Sequence, residues 1–567
     1  MTILTSQIFI NINGTAVPRG VMAQLAEVMV DQHVHLPDMF TIKLHDTSLK
    51  LLDEGPFDLA KEIEIQAESK TGSKVTLIKG EITALEPQFQ EGMTAVLVVR
   101  GYDKSHRLYR QTKTAAYLNK KDSDLANEIA QQLGLSAEVD TTSTVYDHIF
   151  QNNQSDLSFL MQRAWRIGYE CFVIDSKLHF RKPPNNGSGI TLIWGQDLLS
   201  FMPRMTVAEQ VNEVLVKGWD ADQMEPIVGQ ASSGRLYAGV QESKDGKAWG
   251  QQFGTGKKVI VDQPVISQAE ADVLAQARLD EISGAFVEAE GEAHRKPEIR
   301  AGQMVSLDGL GERFSGTYLV TAVTHYYTPA GLKSHFTVRG ARTGTMAELT
   351  THQPPQQKIP GAVIAIVTNT DDPNNWGRVK VKYPWLADDA ESSWARVVTG
   401  AAGPEAGLAF IPEVGDEVAV LFEQGDFNRP LVLGGMWNGQ HNLPPATANA
   451  GSGEKPSVQS WTSRTGHTLA MYDTADNKVE IVTAGGHKFL LDDANAKIEI
   501  VSSGGMKIVV DDNGRKLTFE GTGDVQINSA TNMTIEAGAN LALKATGNLD
   551  VEANGMVNIK GAMVKLN

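Results

Sequence analysis

The chain has 567 residues, of which 41% are hydrophobic, with 53 glycines, one cysteine and a formal net charge of −17. This length allows about three or four domains. The acidic balance argues against a nucleic-acid partner, because binding to phosphates usually needs a basic surface. The single thiol, Cys171, excludes an intrachain disulfide framework and a cysteine metal cage, and it predicts a small buried side chain.

The N-terminal residues resemble a β-strand and not a signal peptide, since they lack a basic start and a long apolar run. No segment approaches the roughly 18 to 20 apolar residues that a membrane helix needs. We therefore expect a chain made in the cytoplasm without a secretory signal, which leaves the cell only by another route.

Residues 1–105 form a first β region in this interpretation, because short apolar or alternating runs are separated by glycines. Residues 106–219 mix strands with two helices: one over 123–133, and one capped by Ser155 that ends at Gly168. Residues 220–350 return to strands after a third helix that begins at Ser267, where Glu270 completes a capping-box pattern. Within this region, residues 220–258 are poor in bulky apolar groups and predict an exposed loop.

A proline-bearing polar linker runs over 350–358, and the region 351–440 combines it with a compact β unit. Residues 378–383 alternate strictly, which places Val379, Val381 and Tyr383 on one face of a strand and three cations on the other. Several short strands within such a length predict a small barrel such as an OB-fold. An OB-fold with a basic stripe suggests oligonucleotide binding, but the overall acidity favours a solvated or salt-bridged stripe.

Residues 441–567 are periodic. One unit occurs at 466–473, 486–493 and 505–512, in steps of 20 and 19 residues, and an eight-residue repeat begins at Asn532. Each short repeat places two apolar residues at i and i+2, on one face of a short strand. One such chain has only a thin apolar stripe, so we expect three chains to turn their stripes to a common axis as a trimeric β-prism or triple-stranded β-helix. The alternative is a single-chain solenoid with its own interior.

The residues predicted to form the axial core of this trimer are the apolar pairs of the short repeats. They are Met533, Ile535, Leu541, Leu543, Leu549, Val551, Val557, Ile559, Val564 and Leu566.

No catalytic constellation, metal site or cofactor site is predicted. His33 and His35 lie at i and i+2, with His45 nearby, and suggest a metal site, but no carboxylate partner accompanies them, which favours ordinary surface or interface histidines. Paired carboxylates at 492–493 and 511–512 suit calcium, or they are solvated turn residues.

Five motifs in order give the chain a family resemblance. They lie at 101–108, 151–168, 377–385, 412–418 and 426–435, and a β-helical repeat follows them. With these motifs the chain resembles the VgrG-like central spike and hub proteins of contractile injection systems, which are related to phage tail hub and spike proteins and to the type VI secretion apparatus.

The resemblance implies a mostly β, multidomain homotrimer. Residues 1–105 would be the first hub β-barrel domain, 106–219 the hub insertion, 220–350 the second hub β-barrel region, 351–440 the linker and OB-fold, and 441–567 the needle. It also implies baseplate and inner-tube partners at the hub end. At the needle end it implies a PAAR-type tip protein, docked on Val564, Lys565, Leu566 and Asn567. Such a structural, non-enzymatic spike would pierce a target cell envelope as part of a phage tail-like particle, either released or membrane-docked.

Two alternatives belong to other functional classes. The first is a phage tail spike with envelope-degrading activity, which would require a catalytic domain between barrel and needle, where residues 439–466 leave no room. The second is a trimeric receptor-binding or carbohydrate-binding fibre, which would place aromatic platforms on the outer face of the needle.

Overall fold

The structure is a computed structural model that describes residues 6–187, 189–340, 358–387, 389–447 and 457–566. The chain divides into two compact units, Met1–Met436 and Trp437–Asn567. Of the predicted linker over 350–358, all but Lys358 lies outside the described residues. None of the described helices is long and apolar enough to cross a membrane. Strands dominate both units, which confirms the predicted mostly β, multidomain class.

The first unit begins with strands and short helical turns. Its elements up to residue 109 are β1 Ile8–Ile12, β2 Thr15–Ala16, α1 Arg19–Met22, β3 Leu25–His33, β4 Leu36–His45, α2 Lys50–Glu54, β5 Glu62–Glu68, β6 Lys74–Gln90, β7 Thr94–Asp103 and α3 His106–Tyr109. The next elements are β8 Thr112–Lys120, α4 Asp122–Gln132, β9 Ser136–Val139, β10 Tyr146–Ser155, α5 Asp156–Arg166, β11 Glu170–Ile174, β12 Lys177–Arg181, β13 Thr191–Ile193, β14 Leu198–Met205 and β15 Glu213–Asp220.

The remainder of the region up to residue 340 alternates short strands with helices. Its elements are β16 Glu225–Ala231, β17 Ala238–Val240, α6 Gly246–Gly250, a 3-10 turn at Gln251–Phe253, β18 Lys257–Ile260, α7 Gln268–Gly284, β19 Val287–His294, β20 Met304–Asp308, α8 Gly311–Phe314, β21 Gly316–Leu319, β22 Ala322–Thr328 and β23 Gly331–Val338.

One sheet joins the beginning of the chain to residues near 338. Its eleven described strands run in the order β14-β19-β23-β22-β3-β4-β7-β6-β5-β1-β2. The junction is the antiparallel pair β22–β3, where His325 lies opposite Val30. One buried cluster, which includes Phe40, Ile42 and Ile65, packs on strands β1 and β3 to β7. Strands drawn from residues 8–103 and from residues 198–338 therefore form one continuous sheet.

The predicted helices are confirmed. Helix α4 covers Asp122–Gln132, and α5 begins after Ser155, whose hydroxyl accepts a hydrogen bond from the Ser158 N–H at 3.3 Å. Helix α7 begins after Ser267, whose hydroxyl accepts from the Glu270 N–H at 3.2 Å. The Glu270 carboxylate accepts from the Ile266 N–H instead of closing the capping box on Ser267.

The expectation of an exposed loop over 220–258 is wrong in part, since most of its side chains are exposed or half-buried but the stretch contains strands and a helix. Strand β16 lies in this stretch and pairs with β15, and helix α7 covers it. Gly229 is required here, because a Cβ at this position would meet the Ala271 carbonyl carbon at 2.2 Å. Small residues allow the helix to approach the strand closely, so a stretch without bulky apolar groups is nevertheless part of a core.

Residues 358–436 form the barrel. Its elements are β24 Val363–Asn369, β25 Lys380–Lys382, β26 Arg396–Val397, β27 Ala402–Gly403, β28 Ala406–Gly407, β29 Glu417–Phe422, a 3-10 turn at Glu423–Gly425 and β30 Pro430–Gly435. Five of these strands form a sheet in the order β25-β24-β29-β30-β26. Val379, Val381 and Tyr383 are buried in its core, which confirms the predicted face. On the opposite face, Arg378 donates to the Asp372 carboxylate, and this hydrogen bond lowers the pKa of Asp372 well below its usual range.

The second unit contains a 3-10 turn at Pro445–Thr447 and one antiparallel sheet in simple chain order. Its strands are β31 Val458–Thr462, β32 Thr468–Tyr472, β33 Lys478–Val482, β34 Lys488–Asp492, β35 Lys497–Val501, β36 Lys507–Asp511 and β37 Lys516–Glu520.

Candidate functional site

Two kinds of tight turn fold residues 458–520 into a meander. At one end, the hydroxyls of Ser463, Thr483 and Ser502 each accept a hydrogen bond from the N–H four residues later, at 3.0 to 3.1 Å. Each of these turns also contains a glycine with positive φ, such as Gly486 at 85°. At the other end, Asp492 accepts from the Asn495 N–H at 2.9 Å. The 20- and 19-residue steps in the sequence are therefore hairpins of two strands and two turns.

One face of this seven-stranded sheet is apolar and open to solvent in the single chain. Its register aligns two columns of side chains, which we call the apolar face. The first column is Trp461, Leu469, Ile481, Phe489, Ile500, Ile508 and Phe519, and the second is Met471, Val479, Leu491, Ile498, Val510 and Leu517. Phe519 is 62% exposed, for example. A contiguous apolar surface of this extent is typical of an interaction site.

The opposite face carries most of the charged side chains of the sheet, and Val482, Leu490 and Val509 also lie on it. Lys488 pairs with Glu480, and the Tyr472 hydroxyl donates to Glu480 at 3.2 Å. Burial raises the pKa of Glu480, but the hydrogen bond and charge of Lys488 outweigh burial, so the net pKa is lowered. A second row alternates in sign along neighbouring strands, in the order Lys478, Asp492, Lys497, Asp511 and Lys516. This face suits contact with water, so the two faces of the sheet have opposite chemistry.

The predicted axial residues lie after this sheet, in residues 521–566, where the structure assigns no β-strand to the described residues. The described chain shows no backbone-to-backbone hydrogen bond within 523–566. All of the predicted axial pairs are exposed, from 47% at Val557 to 89% at Leu566. The pair Val525 and Ile527, which the predicted axial set does not include, is exposed in the same way. Of the predicted tip-docking residues, Val564, Lys565 and Leu566 are exposed, and Asn567 lies outside the described residues.

Sequence reasoning missed the apolar face between Trp461 and Phe519. A usable signal is present, because five strands begin with lysine followed by apolar residues at the second and fourth positions, at 478, 488, 497, 507 and 516. The glycine turns are the more conspicuous feature of the longer repeat, so the sequence analysis predicts an axial role for the shorter repeats only.

The residues of the two suggested metal sites make hydrogen bonds within the chain. His33 and His35 contact each other, since the His35 N–H donates to His33 Nδ1 at 3.0 Å, whereas His45 lies at the far end of the β3–β4 hairpin. Burial, together with the charge of Arg339, lowers the pKa of His33 to about 4. In the second unit, Asp511 accepts from the Gly514 N–H at 2.8 Å as a turn residue. Among the described residues, no group of three or more His, Cys, Asp or Glu side chains is placed to hold a metal ion.

Comparison with known proteins finds relatives among the spike proteins of secretion systems. The spike protein VgrG4b of the type VI secretion system of Pseudomonas aeruginosa is 37% identical over 98 residues, which is 16% of this chain and 12% of that relative. The E. coli c3393 protein, described as a type VI secretion component with structural similarity to bacteriophage T4 tail proteins gp27 and gp5, has a TM-score of 0.50 at 15% identity. That likeness covers 75% of this chain and 99% of the c3393 chain.

A Francisella PdpA–VgrG complex also has a TM-score of 0.50, at 10% identity, over 86% of this chain and 79% of the solved one. The profile of the type VI secretion system/phage-baseplate injector OB domain matches residues 363–437. By these matches the chain resembles VgrG spike proteins in part of its sequence, and its fold resembles that of type VI secretion proteins related to phage tail proteins.

The profile of the Alg8 N-terminal domain matches residues 2–328, more than half of the chain. The chain therefore belongs to the Alg8 N-terminal domain family. The aligned stretch spans only about an eighth of the length of the first curated relative, since it covers 12% of that protein.

Proposed function

We propose that this protein is the non-enzymatic central spike of a contractile injection machine, and that it acts as a homotrimer. The observation that carries the proposal is the apolar face of residues 458–520, which nothing within the described second unit covers. Three copies that turn these faces inward would bury them along a common axis and leave the polar faces outside. Burial of apolar surface contributes about 25 cal/mol per Å² of area removed from water.

The eight-residue repeats extend the same axis in this proposal. Their apolar pairs are exposed, and their described backbone groups have no backbone partners within the segment. Backbone groups in a packed structure need partners. Strands of the other two chains would supply both the hydrogen bonds and the burial, which favours an intertwined triple-stranded needle over a single-chain solenoid.

The remaining assignments rest on the resemblance to spike proteins. The first unit would seat on the inner tube and baseplate, and Val564, Lys565 and Leu566 would hold a PAAR-type tip protein. A rigid prism without a pocket transmits force instead of performing chemistry. In addition, residues 436–457, between the last barrel strand and the first needle strand, are too few for a catalytic domain.

The native mass of the purified full chain, measured by light scattering at low and high salt, tests the trimer. We expect three times 61.4 kDa in both buffers, because a dry apolar interface is insensitive to ionic strength. A monomer at micromolar concentration would contradict the proposal.

A matched pair of variants tests which face holds the trimer. Ile500→Lys with Phe519→Lys places two cations on the apolar face of β35 and β37, and we expect the native mass to fall to that of one chain. Glu499→Lys with Thr518→Lys places two cations on the same strands one residue away, on the polar face. This control is expected to remain trimeric, and dissociation of both variants alike would contradict the assignment of faces.

A further inference from the structure

One hub side chain belongs to the barrel core. Phe150, on strand β10, is only 5% exposed and packs among the aromatic residues of the barrel. Its ring centroid lies 4.6 Å from that of Phe427 and 6.3 Å from that of Tyr383. Phe150 thus completes the barrel interior, although it lies 278 residues before its contact Asn428 in the sequence. The hub and barrel are therefore not merely neighbours on one chain.

Directional hydrogen bonds fix this insertion. The Phe150 N–H donates to Asn428 Oδ1 at 2.8 Å, and His148 Nε2 donates to the Glu391 carbonyl at 2.8 Å. The main-chain carbonyl of Asn428 in turn accepts from the Ser393 hydroxyl at 3.0 Å. Apolar packing alone would allow the strand to slide, whereas these bonds set its register against the barrel.

A buried ionic cluster makes a second point of attachment. Glu270, in the first turn of α7 and 6% exposed, lies 2.8 Å from Arg166 Nη2 of α5 and 3.7 Å from Arg429 Nη2 of the barrel. Burial raises the pKa of Glu270, but the charges of Arg166 and Arg429 and its hydrogen bonds lower it overall, so the carboxylate stays ionised. Removing one partner would leave a buried charge without compensation, which is strongly destabilising.

Beside these attachments the facing surfaces of hub and barrel are separated in part by open space. A cleft of about 940 Å³ opens beside them, with Trp219 on the hub side and Trp376 and Arg396 on the barrel side among its lining residues. A contact interrupted by such a cleft concentrates its energy in a few residues, as hot spots do in interfaces between proteins.

We propose that Phe150 and Glu270 on the hub, with Phe427, Asn428 and Arg429 on the barrel, form a force-transmitting joint that makes hub and barrel one rigid body. The joint lies within a single chain, so it holds whether or not three chains assemble. In a spike it would carry axial force from hub to barrel by packed side chains, in parallel with the covalent connection between them.

Cutting that covalent connection tests the joint. A recognition sequence for a site-specific protease is inserted after Thr350 in the full-length chain, and the purified protein is cleaved and passed over a sizing column. We expect the hub and the barrel–needle fragments to elute together for the wild type. Separation of the wild-type fragments would overturn the proposal.

Joint variants are then compared with a matched control. Phe150→Ala is expected to release at least ten times more free hub fragment than the wild type after cleavage. Phe89→Ala removes an exposed phenylalanine of the same hub and is expected to behave as the wild type. If the Phe150→Ala fragments stay together to the same extent as the wild type, contacts other than the joint hold them, and the proposal is wrong.

A barrel-side variant keeps the test decisive if Phe150→Ala fails to fold. Arg429→Gln leaves the aromatic cluster intact and removes the barrel-side charge near Glu270, while Arg166 of the hub stays in place. We expect its cleaved fragments to separate several times faster than those of the wild type. An unchanged rate would overturn the ionic part of the joint. Native mass before cleavage reports the trimer separately, so failure of the trimer and failure of the joint give different results.

Discussion

Residues 458–520 and residues 521–566 carry the same apolar i, i+2 pattern but fold differently. In the first segment every strand pairs with its neighbours in the same chain, and in the second no described residue lies in a strand. Repeat length explains the difference. A step of 19 or 20 residues accommodates two five-residue strands and two hydrogen-bonded turns, whereas a step of eight residues leaves too little chain to reverse direction and pair with itself.

Burial of apolar side chains and pairing of backbone groups are thus two separate requirements in the second unit. The first segment forms its backbone hydrogen bonds within the chain, and only its apolar face needs a partner surface. The second segment needs both a partner surface for its apolar side chains and hydrogen-bond partners for its backbone. If the protein is trimeric, the first segment assembles by packing preformed sheets, and the second orders only as the three chains wind together.

The largest effect is expected from Leu541→Asp with Leu543→Asp, in the second segment. Two lost apolar burials and two introduced charges cost about 5 kcal/mol or more per chain in a packed axis. We expect residues 521–566 to lose their hydrogen-exchange protection while residues 458–520 keep theirs.

The matched control for this variant is Lys544→Asp with Asp550→Asn, which alters polar positions of neighbouring repeats and is expected to preserve protection. Equal loss of protection in both segments after the leucine changes would show that they fold as one unit, which contradicts the distinction between them.

A smaller effect is expected in the turns of the first segment. Gly486 has φ of 85°, and an alanine in this left-handed region costs about 1–2 kcal/mol. Gly486→Ala should lower the melting temperature of the needle. Gly485→Ala, at the adjacent residue with open space around its Cβ, should not. Equal melting temperatures for the two variants would contradict the role of the turn.

Acidification should weaken the polar face by less than about 1 kcal/mol, the range of exposed ion pairs. Since the folded-state pKa of Glu480 is lowered, its contribution is present above the unfolded pKa and is lost as the pH falls through the folded pKa. Melting temperatures of the wild type and of Glu480→Gln should converge below about pH 4. A constant difference across the pH range would mean that Lys488 and Glu480 are not coupled.

The smallest effect expected is that of calcium. Asp492 and Asp511 are occupied by turn hydrogen bonds, so adding millimolar calcium or a chelator should leave the melting temperature unchanged. A rise with calcium but not with magnesium would show that these turns bind the ion.

Much of the fold could be predicted from local chemistry. Helix caps at Ser155 and Ser267 and the strict alternation over 378–383 depend on neighbouring residues only, and the structure confirms them. The sequence does not predict strand β16, because this strand is stabilised by packing against helix α7, more than thirty residues away. That packing requires the small Gly229 beneath the helix.

The candidate site was predicted only in part, for a similar reason. The pairs from Met533 to Leu566 follow from their spacing, and their axial role remains a prediction. The face from Trp461 to Phe519 depends on the register of seven strands, and shifting one strand by a single residue would turn its apolar side chains to the polar face. The amino-acid composition does not determine that register, whereas the position of each turn does.

The simple chain order of the sheet over 458–520 determines how a protein of this kind could change its length. Each hairpin contacts only the hairpins before and after it, and two strands return the chain to the same edge with the same face inward. Inserting or deleting one hairpin would thus lengthen or shorten the sheet by roughly 10 Å, twice the spacing between strands, without disturbing the rest. The length of the sheet can therefore change in evolution by one hairpin at a time.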